Sequence, residues 1–320
     1  MSMIMCSRIS FPDRNIQLFS VNSVHIESSW KMLTDTAEII LPRKLADFDK
    51  KKIEELFVEG DRVVIELGYN GEYYTEFVGY INKVAKSIPL RILCEDEMYK
   101  LKRQNISYSG KNVKLGDLLA KVAPGYTIDT YGDTVIGKVR YSNVTAAQVL
   151  EDVQKKLGFY SYFTTDKVLH VGKVYGDQAG VKPVTIYLER NAVSDELEYE
   201  KRDNDKIKVK AISITKGGKK IEVSVGDGGG SMKQLSYPGI VSKIELEKLA
   251  RKDYERLKKE RMSGNITLFG IPRVEHGMIV NFISELYADR AGKYYIDKVT
   301  KDFKDDATYR QVLEMGERAK

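Results

Sequence analysis

The sequence predicts a mainly β protein with an α+β insertion, built as two related β-barrel domains and one small α/β domain. Three observations predict it. Alternating runs dominate the first hundred residues. The clearest is Glu59 to Val84, EGDRVVIELGYNGEYYTEFVGYINKV, where two runs meet at Asn70-Gly71, the dipeptide that supplies the positive φ angles of a type I′ turn. Capped, helix-periodic segments gather instead between about residues 105 and 175. The hairpin also has a counterpart near the other end of the chain. Gly60 leads GDRVVIEL and its hairpin closes in Tyr80-Ile81-Asn82-Lys83-Val84; Gly277 leads GMIVNFIS and its hairpin closes in Tyr295-Ile296-Asp297-Lys298-Val299. Four identities and an Asn/Asp exchange at equivalent places in two glycine-led hairpins favour an internal duplication.

In chain order, Ser10 to Ser20, Val21 to Ser28 and Thr36 to Leu41 read as short strands, the last closed by Pro42. Lys50 to Leu56 reads as one or two helical turns before the long hairpin. Pro89 to Cys94 is a strand and Glu95 to Arg103 a short helix, acids first and bases last as the helix dipole favours. Leu115 to Ala123 is a helix stopped by Pro124-Gly125. Thr145 to Leu157 is a longer one, with a Thr145/Gln148 capping box, Gly158 at C′, and Ala146, Val149, Leu150, Val153 and Leu157 on its core face. Two strands follow, Phe159 to Phe163 and Val168 to Val171, around a Thr165-Asp166 turn. Strands return at Pro183 to Leu188, Lys206 to Ile214 and Lys219 to Val225, the last two joined at Gly217-Gly218. A helix from Ser242 to about Arg261 opens on a Ser242/Glu245 box and carries Leu246, Leu249, Ala250, Tyr254 and Leu257 as a stripe, its other face being charged. Gly264 to Phe269, Gly277 to Ile283, Tyr294 to Phe303 and Ala307 to Met315 complete the strands. The expected division is a first barrel over 1–104, with strands within 183–200 as candidates to complete it, an inserted α/β domain over 105–178, and a second barrel over 179–320 carrying the surface helix 242–261. Closure of each barrel removes the unpaired edges that invite aggregation.

Composition narrows the chemistry. The chain has 320 residues, 42% of them hydrophobic, enough for real cores over roughly two domains. No apolar run reaches about 18 residues and the start lacks the apolar core of a signal peptide, so a protein without membrane anchor, made and kept in a cytoplasm, is expected. Cys6 and Cys94 stand far apart without CxxC spacing, so buried apolar roles outweigh a disulfide or zinc. A net charge of +6, with 52 basic residues interleaved among 46 acidic ones, gives no dedicated phosphate-binding face. His25, His170 and His276 lack HExxH or HxH spacing, and no GxSxG elbow exposes a serine. Gly226-Asp227-Gly228-Gly229-Gly230 lacks the lysine and hydroxyl residue of a phosphate loop and reads as a mobile connection. No catalytic residue, cofactor or metal is expected. One rival class keeps some support: Lys206, Lys208 and Lys210 share a strand face, as a nucleic-acid- or glycan-binding barrel would want, with tyrosines elsewhere able to stack on bases or sugars. Alternation against Ile207, Val209 and Ala211 predicts the same lysines as a plain solvated face.

The order of parts resembles the baseplate hub proteins of contractile phage tails, the late control gene D family, and the N-terminal hub part of type VI secretion spike proteins. The resemblance rests on GDRVVIELGYNGEYYTEFVGYINKV with PLRILCEDEMYKLKR, on VTAAQVLEDVQKKLGFYSYF, and on GIPRVEHGMIVNFI with AGKYYIDKVTKDF. It spans essentially the whole chain through loose patterns of glycines and aliphatics. It implies two tube-forming barrels, a homotrimer whose ring of six barrels continues a hexameric tail tube, a docked spike, and a tape-measure protein and DNA passing through the channel. The place implied is the virion tail baseplate, assembled in the bacterial host cytoplasm. No spike domain follows Lys320, so a separate spike chain is expected. On this reading Tyr69, Asn70, Gly71, Tyr73, Tyr74 and Phe77 are the candidate contact with neighbouring subunits or rings, with core packing an equal alternative for the inward half of the hairpin. Lys206, Lys208 and Lys210 would line the channel or face a neighbouring ring.

Overall fold

The computed structural model describes residues 3–42, 56–85, 87–175, 182–200, 206–215, 218–237, 240–258 and 261–319. The expected helical turn at 50–56 lies almost wholly outside them. The first half contributes β1 (Met5–Phe11), β2 (Ile16–Leu18), β3 (Ser23–Ser29), β4 (Thr36–Ile40), β5 (Arg62–Tyr69), β6 (Glu72–Ala85) and β7 (Arg91–Glu95). The run expected over Ser10 to Ser20 is a hairpin instead. β1 starts at Met5, a 3-10 turn over Pro12–Arg14 breaks the run, and Asn15 takes the left-handed conformation that sends β2 back. The long hairpin forms as expected, with Asn70 at φ 54° and Gly71 at φ 84° in the turn.

The helix expected over Glu95 to Arg103 is a single turn, α1 (Met98–Leu101), because Glu95 is still paired in β7. The insertion follows: β8 (Asn105–Lys114), α2 (Leu115–Val122), β9 (Thr127–Thr130), β10 (Val135–Thr145), α3 (Ala146–Leu157), β11 (Ser161–Phe163) and β12 (Val168–Val171). Both bonds of the Thr145/Gln148 capping box are present and Gly158 closes α3 at φ 73°. The inward faces of α2 and α3 meet β8, β10, β11 and β12 in one apolar core.

The second half contains β13 (Val184–Tyr187), a helical turn α4 (Leu188–Asn191), β14 (Ala192–Glu200), β15 (Ile207–Ile214), β16 (Lys220–Gly226), β17 (Ser231–Ser236), α5 (Lys243–Lys258), β18 (Arg261–Phe269), β19 (Ile279–Ile283), β20 (Gly292–Lys304) and β21 (Thr308–Arg318). β15 lies between antiparallel β16 and parallel β17, and this small sheet has its own core against Leu246, Ala250 and Leu257 of α5. Strands 206–225, expected in the second barrel, therefore form a separate unit with the long helix. Their alternation fixes which face is apolar but not which element covers it.

The mainly β class holds, but among the described residues no barrel closes. One sheet of 13 strands runs β14-β18-β21-β20-β3-β4-β7-β6-β5-β1-β2, with β19 joined to β20 and β13 to β19. The reason is the length of β20. Its first residues pair with β19, and Lys298 to Lys304 then pair with β3, so the two halves share a ladder instead of each closing on itself. β13 and β14, candidates to complete the first half, pair with β19 and β18 instead. Phe303 and Tyr309, carried by the β20–β21 hairpin, are buried in the core of the first half.

The duplication extends to the backbone. Gly60 N–H donates to Ile81 O (2.8 Å) and Ile81 N–H to Asp61 O (2.9 Å); Gly277 N–H donates to Ile296 O (2.7 Å) and Ile296 N–H to Met278 O (3.1 Å). Both glycines have positive φ, 95° and 81°. A bulge follows each isoleucine, at Asn82 against β7 and at Asp297 against β21. The surrounding order repeats too: β3-β4-β7-β6-β5 in one half, β14-β18-β21-β20-β19 in the other. Chain order also matches, except that the β15–α5 unit is inserted between β14 and β18, where the first half has only a loop.

Gly60→Ala and Gly277→Ala should each lower stability by about 1–2 kcal/mol, the cost of a Cβ in left-handed backbone, measured as equal shifts in urea midpoint.

Candidate assembly surface

The ladder between the halves is held by charge as well as backbone. Where β20 runs beside β3, Lys298 pairs with Glu27, and the His25 Nδ1 and Asp302 Oδ1 atoms lie 2.8 Å apart. On the inward face, Val299, Lys301 and Phe303 are all buried. Lys301 is only 3% exposed and its ammonium meets the Glu76 carboxylate, itself 6% exposed. Burial lowers the Lys301 pKa against the opposing pull of Glu76. Glu76 is the extra residue of a bulge in β6, since Ile65 faces Phe77 and Glu66 faces Thr75. The bulge brings its carboxylate inward beside Phe77. There it also accepts from Tyr309 Oη (3.0 Å) and pairs with Arg273 (3.3 Å), whose other nitrogen donates to Thr75 O (2.7 Å).

Two further carboxylates tie the inserted module to this frame. Glu97 accepts from Tyr80 Oη (3.0 Å) of the first half and Tyr126 Oη (2.7 Å) of the module, and pairs with Lys167 (2.8 Å). Burial pushes the Glu97 carboxyl up, but these partners outweigh it and hold the pKa below its ordinary value. Asp297, the bulged residue of β20, accepts from Trp30 Nε1 (2.9 Å) and Tyr175 Oη (2.8 Å) and pairs with Lys31 (3.0 Å). Trp30 packs edge-on against Tyr160, and Tyr175 stacks on Tyr295 at 4.0 Å.

The six hairpin residues divide. Tyr69 is buried, its ring lies tilted 5.4 Å from that of Tyr309 and its hydroxyl donates to Tyr309 O (3.2 Å), and Phe77 is buried in the same core, so both are spent on the fold. Asn70 is tied to the N-terminal segment, its Oδ1 accepting from Ile4 N–H (2.9 Å). Asn70, Gly71 and Tyr74 are exposed at the tip, and Tyr73 is half-buried under the Arg8 guanidinium, 4.6 Å from the ring. Lys206, Lys208 and Lys210 lie on the strand face away from α5; Lys206 is exposed, the other two are half-buried, and Lys210 pairs with Glu222 (3.2 Å).

The other residues singled out take structural places. Cys94 is buried and its thiol pKa is pushed up by burial, while Cys6 is half-buried. His170 stacks on Tyr162, His276 meets the same ring edge-on, and burial lowers the His170 pKa. The glycine run forms the β16–β17 turn, held by Asp227, which accepts from Tyr254 Oη (2.9 Å) and pairs with Lys258 (3.0 Å). Among the described residues no cluster of three or more His, Cys, Asp or Glu could hold a metal, and no helix is long and apolar enough to cross a membrane. A cavity of about 50 Å³, lined in part by Glu76, Asp96, His276 and Lys301, sits where the halves meet the module; an open one of about 340 Å³ lies between β16 and α5.

Sequence reasoning missed Glu76, Arg273, Asp297 and Lys301. Lys301 had a signal, a charge between Val299 and Phe303 at the inward parity of an alternating strand.

No family model matches this sequence, and no curated protein matches it. Solved structures do. A tail protein from Neisseria meningitidis MC58 is 15% identical, with a TM-score of 0.64 over 98% of this chain and 96% of that one. The 43 kDa tail protein of prophage MuSo2 from Shewanella oneidensis is also 15% identical at a TM-score of 0.64, over 99% and 98%. An E. coli component of the type VI secretion system, described as similar to the T4 bacteriophage tail proteins gp27 and gp5, is 11% identical at 0.58, over 94% and 74%. The chain therefore has the fold of these phage tail proteins and of this type VI secretion component.

Two substitutions test the ties described above. Glu76→Ala strands the Lys301 charge and should cost about 3–5 kcal/mol, whereas Glu76→Gln with Lys301→Met should lose clearly less in urea unfolding. Asp297→Ala should redden the emission of Trp30, the sole tryptophan, and cost about 1–3 kcal/mol through the unpaired indole and phenol donors.

Proposed function

We propose that this chain is a structural baseplate hub of a contractile phage tail or phage-like injection device. Three copies form a ring in which each contributes two quasi-equivalent sheet units. Six such units match a hexameric tail tube on one side, and the true threefold symmetry holds a spike on the other. The observation that carries the reading is the internal repeat, with matching bonds at Gly60 and Gly277 and matching strand order, because two like units in one chain let three chains meet sixfold symmetry. The shared fold with tail proteins over nearly their whole length supports it.

In this proposal the work is assembly and no bond is made or broken. Residues 1–104 and 179–320 supply the two ring units and 105–178 a module between them. Partners are the tube ring above, a spike chain below, and a tape-measure protein and DNA in the channel; the place is the tail baseplate, assembled in the host cytoplasm. The exposed tip Asn70, Gly71 and Tyr74, with Tyr73, offers a contact to a neighbouring ring, and Lys206, Lys208 and Lys210 a partner-facing patch.

Light scattering should return three times the 36.4 kDa chain mass at tens of micromolar. A mass that stays at one chain across that range contradicts the trimer.

A further inference from the structure

The seam inside the chain identifies the seam between chains. Inside the chain, the end of β20 pairs with β3. The repeat makes β6 the counterpart of β20, and β14 the counterpart of β3. Among the described residues neither counterpart has its partner within the chain. Among the described residues β14 is the last strand of the sheet, paired on one side only, with β18. The β5 ladder on β6 stops at Tyr80, so Lys83 to Ala85 are paired only with β7 among the described residues. Along the sheet β14 and β6 are seven strand spacings apart, about 34 Å at roughly 4.8 Å each.

We propose that the end of β6 in one copy pairs antiparallel with the outer edge of β14 in a second copy, as β20 pairs with β3 within each copy. This rests on the ring reading above and names its contact.

The register follows from rows across the two halves of the sheet. Just after each bulge, Lys83 faces Leu93, which faces Glu38, which faces His25. Just after the other, Lys298 faces Glu314, which faces Asn265, which faces Glu196. So Lys83 corresponds to Lys298, and Glu196 to His25. Two residues on, Ala85 corresponds to Thr300 and Glu198 to Glu27. Within the chain Thr300 faces Glu27, and Glu27 holds Lys298. Between copies Ala85 then faces Glu198 of the second copy, and Glu198 holds Lys83. Lys83 and Glu198 are both exposed in the single chain, so each is free to meet the other. β14 reads AVSDELEYE, strongly acidic. Such charge guards an edge strand against indiscriminate pairing, and a basic segment at a fixed register satisfies it. The contact is head-to-tail, each copy giving one edge and taking another, so it closes into a ring without leaving β14 open.

The test uses the full chain with Cys6→Ser and the pair Ala85→Cys and Glu198→Cys. Directly opposed residues on antiparallel strands have Cα separations of about 4.5–5.5 Å, within disulfide range. Mild oxidation should give covalent dimers and trimers on a denaturing gel, and neither single cysteine should do so. Independently, Lys83→Glu should weaken association at least tenfold in light scattering, with Trp30 emission unchanged, and Lys83→Glu with Glu198→Lys should restore it. A three-chain mass with no 85–198 cross-link and no response to Lys83→Glu overturns this seam and leaves the ring standing. A folded chain that neither associates nor cross-links overturns both.

Discussion

Lys301 is a charged side chain on the inward face of β20, where that strand has left β19 and taken up β3, and the architecture depends on how its charge is met. Taking an ammonium and a carboxylate out of water costs several kcal/mol each, so the pair with Glu76 adds little net stability over apolar residues of the same shape. What it fixes is alignment. Glu76 belongs to β6 in one half and Lys301 to β20 in the other. A one-residue slip of β20 against β3 would turn Lys301 outward and bring Thr300 or Asp302 into the core. The half-sheets are thus held in one phase.

The bulges give this frame its polar contacts. A bulge breaks a strand's alternation and re-aims a side chain, and β6 and β20 are bulged at Glu76, Asn82 and Asp297. The last two are the equivalent positions of the repeat, yet they serve different ends. Asn82 donates to Glu95 and accepts from Arg103, staying near its own strand pair. Asp297 reaches Trp30, Lys31 and Tyr175, joining the β3–β4 loop and the far end of the module to the second half. The Asn/Asp exchange visible in the sequence is therefore a divergence of role at a retained bulge.

Much of the local structure was legible in the sequence because its causes are local. Asn70-Gly71 dictates its turn through φ alone, and Thr145 with Gln148 caps its helix through two bonds spanning three residues. The repeat was readable because Gly60 and Gly277 need positive φ and are followed at similar distance by the same aliphatic. Partner choice was not legible. Alternation in β15 marks Ile207, Val209 and Ala211 as inward, but nothing in it says that α5 and not the large sheet covers them. β8 and β10 were unread as strands because their pairing is broken by three register shifts and half their faces are wet. Closed barrels were expected because closure hides edges; the sheet instead runs on from one half to the other. Of the hairpin residues, parity alone could not tell that Tyr69 and Phe77 would be taken by the core and the tip left exposed.

Two sheet units joined by one ladder have a shape that can be seen directly. In the proposed ring, repeating this ladder between copies would give lobes alike in outline that alternate in detail. The β15–α5 unit is present in one half only, so in that proposed ring it would mark every second lobe. Averaged top views of the assembled protein by electron microscopy test this most directly. Six lobes of similar outline, alternating so that the true symmetry is threefold, are the expected result; rings of another order, or lobes without alternation, would contradict it.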